Sequence, residues 1–173
     1  LKTPIDLDYS KANCQIWDTK WRGAGIPPVI SLDEHGEPTF LHVLSEDNLK
    51  SHRYYYVRRK KGKWKQTPIC DSNHQWNSSY LARDKEGILH AYVIVGKCYL
   101  GGGYMNRHGG GCIEEWISQD KGNSWKNPRD LTPNSKPYRG WRYNNIQPVL
   151  RPDGGIVEGM LLFYGWKDKD APE

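Results

Sequence analysis

Apolar and polar positions alternate along this chain in short bursts, and Gly, Pro, Asn and Asp punctuate them. That is the period of strands. No apolar i, i+3, i+4, i+7 series survives for two turns, so helix is not expected. One module recurs: a strand, a turn with Asp and Gly, and a second apolar strand. Its copies are Pro28–Leu44 around Asp33 and Gly36, Ser79–Val95 around Asp84 and Gly87, and a degenerate Gln147–Phe163 around Asp153 and Gly155.

A second hairpin separates the copies. His52–Arg59 turns into Lys63–Thr67, and Ile113–Ile117 turns toward Trp125, which places Trp64 and Trp125 at equivalent points. The unit is therefore four antiparallel strands, recurring at 51 residues from Asp33 to Asp84 and 69 from Asp84 to Asp153. Gly101–Gly111 and Thr132–Tyr143 absorb the longer interval. Four-stranded repeats of this length predict β-propeller blades. The expected fold is all-β, with blade units at about residues 25–70 and 77–135 and an incomplete one at 145–173. A ring of ~4–8 blades needs more than this. The remaining blades are expected on another chain or segment, and the opening at Leu1 in mid-pattern fits an excised piece of something longer.

Strand order fixes where chemistry should collect. The connections entering each first strand share one face with those joining second to third strands. Trp17–Gly23 carries Trp21 and Arg22, Asp71–Asn77 carries His74, Trp76 and Asn77, and Tyr138–Asn145 carries Trp141, Arg142, Tyr143 and Asn144. The Gly-rich run 101–111, with His108, joins them; lacking a strand-then-helix context, it reads as a flap over a groove and not as a phosphate cradle.

Composition sharpens the picture. The 173 residues suffice for one ordinary domain, mean hydropathy is −0.85, and no apolar run approaches the ~18 residues of a membrane span. Aromatics are 8 Trp and 11 Tyr against 2 Phe, a bias toward rings with a polar edge that suit half-exposed sites and sugar faces. The net charge of +5 favours an anionic partner. Basic residues are scattered over both hairpins, which disfavours nucleic acid, and the one dense run, Arg58–Lys63, reads first as a solvated hairpin. Aromatic platforms beside Arg are what an acidic polysaccharide requires: rings stack on pyranose faces while a guanidinium grips carboxylate or sulfate.

Cys14, Cys70, Cys98 and Cys112 have no paired C-x-x-C spacing, yet all fall on the same loop face. Structural zinc held by these thiolates, with His74 in sequence reach of Cys70, is one reading; disulfides in a secreted protein and buried thiols are the others, and calcium stays open. Of the six histidines, His42 and His90 sit at matching places in the second strands and read as packing. His74 and His108 lie in the face loops and are the candidates for chemistry.

Ser118-Gln-Asp120-Lys-Gly122-Asn-Ser124-Trp125 closes an outer hairpin, with Asp120 bonding its own turn and Trp125 plugging it. The pattern resembles the Asp-box of sialidase-like propellers, although an ordinary hairpin would also satisfy it. Together with Trp64-x-x-Thr-Pro-Ile-x-Asp-x-x-His74, Gly109-Gly-Gly-x-Ile-Glu-Glu-Trp116, Leu131-Thr-Pro-Asn-Ser and Tyr143-Asn-Asn, the chain resembles the BNR/Asp-box seven-bladed propellers, and among them the ulvan-lyase-type polysaccharide lyases. The resemblance covers most of the chain but marks scaffold, not reaction.

It implies a secreted or periplasmic enzyme in which an Arg neutralises a uronate carboxylate, a His or Tyr removes the C5 proton, and a Tyr or water protonates the leaving oxygen. Carried over, the expected cation is Arg22, Arg58 or Arg142, the base His74 and the acid Tyr143. Trp21, Trp76, Asn77, His108, Trp141 and Asn144 would line the substrate. A sialidase-like glycoside hydrolase and a non-catalytic glycan-binding propeller are the rivals. The hydrolase would want mouth carboxylates, and the face loops supply Asp18 and Asp71 but no Glu.

Overall fold

The computed structural model describes Asp8 and residues 14–20, 22–23, 26–46, 51–96, 109–133, 135, 139–153 and 155–167. The chain is all-β. Strands β1 (Val29–Leu32), β2 (Pro38–Ser45), β3 (His52–Lys60) and β4 (Lys63–Ser72) form one antiparallel sheet in sequence order. Strands β5 (Ser79–Arg83), β6 (Leu89–Val95), β7 (Cys112–Ser118) and β8 (Lys126–Asp130) form a second. Strands β9 (Trp141–Leu150) and β10 (Ile156–Lys167) pair only with each other. These are two whole four-stranded blades and the inner hairpin of a third.

The turns follow from the residues the repeat placed there. Asp33 Oδ1 accepts the His35 and Glu37 amides, and Asp84 Oδ1 accepts that of Ile88, so each carboxylate holds its own turn. Period-two alternation then sorts side chains to opposite faces. Leu41, Val43, Tyr54 and Tyr56 of blade 1 interdigitate with Leu81, Leu89, Ala91 and Val93 of blade 2 in one core. Ile94 and Ile113 on the other side of blade 2 pack with Tyr143 and Ile146 of β9 in a smaller one. Each such burial contributes roughly 1.5–3 kcal/mol, so the two cores set the order of the blades.

The outer hairpin of blade 2 is docked onto blade 1. Asp120 accepts from the Ser118 and Ser124 hydroxyls and from the Asn123 and Ser124 amides. Trp125 sits edge-on to Tyr56, ring centroids 5.5 Å apart. Gly122 has φ +80°, and a Cβ there would fall 2.1 Å from Tyr56 Cε1, so no side chain fits.

Two features differ from expectation. β9 begins at Trp141, so Arg142, Tyr143 and Asn144 stand in a strand and not in a loop. His42 and His90 are not equivalent: His42 shares a face with Phe40 on the side of blade 1 turned away from blade 2, whereas His90 points from blade 2 toward blade 3.

Candidate functional site

The ends of β2, β4, β6 and β8 and the starts of β3, β5, β7 and β9 lie on one face, as the meander demands. The bridge between Gly111 and Tyr143 joins two of these connections directly. His74, Asn77, Arg142 and Asn144 converge there, while Tyr143 joins through its backbone and turns its ring to the opposite face of β9, against Ile94 and Ile113. Ser72, last in β4, accepts from Asn77 Nδ2 (3.0 Å) and donates to the His74 carbonyl (2.9 Å). Asn77 Oδ1 accepts the Gly110 amide at 2.7 Å, and its Nδ2 also reaches Asn73 Oδ1 and the Ile94 carbonyl. Asn144 Oδ1 accepts the Ser78 and Asn145 amides, both at 2.9 Å, and its Nδ2 donates to the Trp76 carbonyl. These two amides splint all three blades together.

Gly109 lies at the centre of the group. A Cβ there would approach Asn77 Oδ1 to 2.5 Å and both His74 Nδ1 and Asn144 Nδ2 to 3.3 Å. Its carbonyl accepts from Arg142 at 3.4 Å, and the Arg142 guanidinium lies over the Trp166 ring, 4.9 Å from the centroid. His74 and Arg142 are each only 1% exposed. Above them Trp76 and Trp141 are 37% and 38% exposed, and Trp141 stacks on Tyr143 at 6.3 Å.

The His74 ring has a defined protonation pattern. Its Nδ1 accepts the Trp76 amide at 3.0 Å, so in the neutral ring the proton resides on Nε2. His74 is thus a hydrogen-bond donor at Nε2. The base assigned to it from sequence would need a lone pair at that atom, and the Trp76 amide removes it. His52, whose Nδ1 lies 3.0 Å from Ser45 Oγ, has its pKa lowered by burial.

Other expected members stand elsewhere. Arg22 is on the same face but behind blade 1: it pairs with Glu46 at 3.0 Å and covers Trp17 at 5.1 Å. Arg58 is at the opposite end, six residues down β3 from His52 and therefore ~20 Å away; it donates to Asn123 at 2.8 Å. It does not belong to the site. Trp21 and His108 lie outside the described residues.

The three described cysteines do not come together. Cys70 packs into the core between blades 1 and 2, and Cys112, next to Ile113 but on the opposite face of β7, is turned to the same side. Burial raises both thiols, with nearby carboxylates adding to it. Cys14 is exposed on the far side of blade 1, with that sheet intervening, and Cys98 lies outside the described residues. Topology put all four at one end, but it did not say on which side of a sheet. Among the described residues no group of three His, Cys, Asp or Glu is placed to hold a metal.

Sequence reasoning missed Ser72, Gly109 and Trp166. Only Gly109 left a signal, as part of the glycine run before β7. The assembly is a buried cation and an imidazole N–H donor beneath two exposed indoles, a surface suited to carboxylate-bearing rings. No protein-family model and no curated protein matches the chain.

Proposed function

We propose that this chain forms part of a polysaccharide lyase that cleaves a sulfated, uronate-containing polysaccharide of the ulvan kind by β-elimination. The observation that supports it is the convergence of His74, Asn77, Arg142 and Asn144 around Gly109 beside the half-exposed Trp76, with Trp141 stacked on Tyr143 on the adjoining face of β9. In this reading the indoles carry the sugar rings, and Arg142 with the His74 Nε2–H pairs the uronate carboxylate. That pairing is what makes the C5–H acidic enough to lose. Tyr143 as phenolate takes that proton. The C4–O bond breaks as its electrons leave with the glycosidic oxygen, C4=C5 forms, and the phenol returns the proton to the departing oxygen. The Gly109–Gly111 strip covers Arg142 and Asn77, so substrate reaches them where that strip lifts.

A second reading, a glycan-binding propeller without turnover, draws on the burial of the same two groups: at 1% exposure they serve as inter-blade struts. One experiment separates the two. Purified chain is incubated with ulvan and followed by ultraviolet absorbance of the conjugated C=C bond. The lyase reading expects unsaturated ends, with Tyr143→Phe slowing their formation by about 10²–10⁴-fold while binding persists. Binding that depends on Trp76 and Trp141 with no unsaturated product supports the second reading. Saturated new reducing ends would make the protein a hydrolase and defeat both.

A further inference from the structure

The dense basic run Arg58–Lys63 closes the β3–β4 hairpin of blade 1. These strands run on past β2, whose pairing with β3 ends at Thr39 and Arg58, and turn tightly at Lys61 and Gly62, with φ +51° and +76°. The cross-strand rows Arg58–Lys65 and Lys60–Lys63 set like charges directly opposite each other on one face, which destabilises the hairpin. Between Asp47 and Asp71 the chain contains no Asp or Glu. Arg58, Arg59, Lys60, Lys61, Lys63 and Lys65 make, among the described residues, only one ion pair: Arg59 with Glu37, at 3.9 Å and half-exposed. Neighbouring cations at the same end are matched, Arg83 and Lys121 by Glu34 and Lys85 by Glu86.

The tip holds the whole basic excess of the protein. Net charge is +5, so the chain without these six residues would carry −1. A missing blade does not account for their exposure. The cationic face is the one turned toward blade 2, which is in place: Asn123 of its outer hairpin takes Arg58 and Lys65, and Lys60, Lys61 and Lys63 remain exposed beside it.

The side chains left over decide the kind of anion. A sugar polymer or a nucleic acid is held by a groove, a stacking ring and guanidinium forks. Here the turn projects beyond the sheet, Trp64 is on the other face against Phe40 at 5.6 Å, and Arg58 is already bound to Asn123. Exposed lysines on a projecting turn are mobile point charges, which suit a diffuse negative surface and not a shaped ligand.

We propose that the β3–β4 tip docks the protein on an anionic phospholipid surface through Lys60, Lys61 and Lys63. The tip lies at the end of β3 away from His52 and His74, so a protein held this way turns the face with His74 and Arg142 outward.

Cosedimentation of the purified chain with vesicles tests this. Phosphatidylcholine vesicles with about one third phosphatidylglycerol should bind it at low salt and release it as salt rises, and pure phosphatidylcholine should not bind it. Each lysine near such a surface is worth about fivefold in affinity, so the triple variant Lys60→Gln, Lys61→Gln, Lys63→Gln should bind about 10²-fold more weakly. Lys63→Glu sets an opposite charge across from Lys60. It should weaken adsorption about 25-fold while raising the urea midpoint, which separates docking from folding. Lys20→Gln with Lys167→Gln, exposed lysines elsewhere, should leave adsorption near its original strength. No binding to the anionic vesicles would overturn the proposal. So would a loss per lysine in that control pair equal to the loss at the tip, since net charge alone would then be at work. Displacement by glycerophosphate at equal phosphate concentration would make the tip a site for single phosphates. Preference for duplex DNA or ulvan over the vesicles, lost in the same triple variant, would make it a polymer site, and either result defeats the membrane assignment. None of these results depends on the lyase reading.

Discussion

Blades 1 and 2 present the same backbone register to the blade that follows, and they use it in opposite ways. Six residues beyond the turn aspartates Asp33 and Asp84 stand Thr39 and His90, and the cross-strand pairs Leu41–Tyr56 and Val43–Tyr54 of blade 1 correspond to Tyr92–Glu115 and Ile94–Ile113 of blade 2. Blade 1 meets four strands, and its side is a sealed apolar surface capped by Trp125. On its far side blade 2 meets, among the described residues, only β9 and β10. Near the functional face it is equally apolar, through Ile94 and Ile113. Farther down it becomes an ionic network, His90 between Asp84 and Glu115 with Arg129 on Glu115, facing a cleft of about 520 Å³. The lesson is that the cover decides the chemistry. Where strands close over a face, burial supplies the energy; where they do not, paired charges keep the face both wet and ordered.

The sealed side should be the more sensitive. Tyr56→Ala removes a ring that touches Trp125 and fits against Gly122, and its loss should cost about 3–5 kcal/mol, read as a lowered urea midpoint. Tyr54→Phe is the milder probe of the same seal. The Tyr54 hydroxyl accepts the Ile94 amide at 3.2 Å and lies 3.1 Å from the Ile94 carbonyl, so it bonds blade 1 to blade 2 through one oxygen. Its removal should cost about 1–2 kcal/mol. If Tyr56→Ala proved as mild as Tyr54→Phe, packing by the outer hairpin would not be what holds the first interface.

Alternation made strands β1–β8 legible in the sequence, because a half-buried antiparallel strand must repeat every second residue. What alternation could not convey is which of the two sides a residue faces relative to its counterpart in the next blade. His42 lies nine residues beyond its turn aspartate and His90 six, an odd difference that sends them to opposite sides. Counting from the turns would have shown it. The first half of β9 was hidden because Arg142, Tyr143 and Asn144 look like loop residues, whereas its second half was legible as the opening strand of the Gln147–Phe163 module. The convergence at the functional face was legible from connectivity alone. The pairing of Arg22 with Glu46 was not, since those residues are far apart in sequence and carry no motif. Glu115 did leave a trace: it shares parity with Ile113 and Ile117, which marks a carboxylate turned toward a neighbour.

On the ionic side the expected effects are smaller and depend on pH. Burial works against ionisation of Glu115, yet hydrogen bonds from His90 and Arg129 outweigh it and hold the carboxyl below its ordinary range. Asp84 is likewise disfavoured by burial and lowered on balance by the Ile88 amide and His90. Glu34, bonded to Lys121 across the first interface, is lowered to about 2. Groups with depressed folded values stabilise fully above their unfolded pKa of about 4, and that contribution disappears as pH falls through the folded values. These carboxylates should therefore make stability decline from about pH 4 toward about 2, and the buried His42 and His52, whose pKa values burial lowers, should add an earlier decline as pH falls below about 6.5. Glu115→Gln should lower neutral-pH stability by about 1–3 kcal/mol and flatten this acid limb in urea titrations. An unchanged limb would mean that the network is incidental to the second interface.

The smallest effect is expected from Arg58→Ala, and that is its value. Arg58 belongs to the sealed side by position, with its Nε buried while Nη2 reaches out to hydrogen-bond Asn123, which Lys65 also reaches at 3.0 Å. With Lys65 still on the same oxygen, the loss should stay within about 0.2–1 kcal/mol, the range of exposed charged contacts. Because Arg58 lies at the end of β3 away from His52 and His74, polysaccharide binding should be unchanged, while Arg142→Ala weakens it. Parallel titrations of the two variants with one ulvan preparation therefore test which end of the blades meets the glycan. If Arg58→Ala weakened binding as much as Arg142→Ala, the polymer would run down the blade faces, and the distinction between a sealed flank and a binding rim would have to be abandoned.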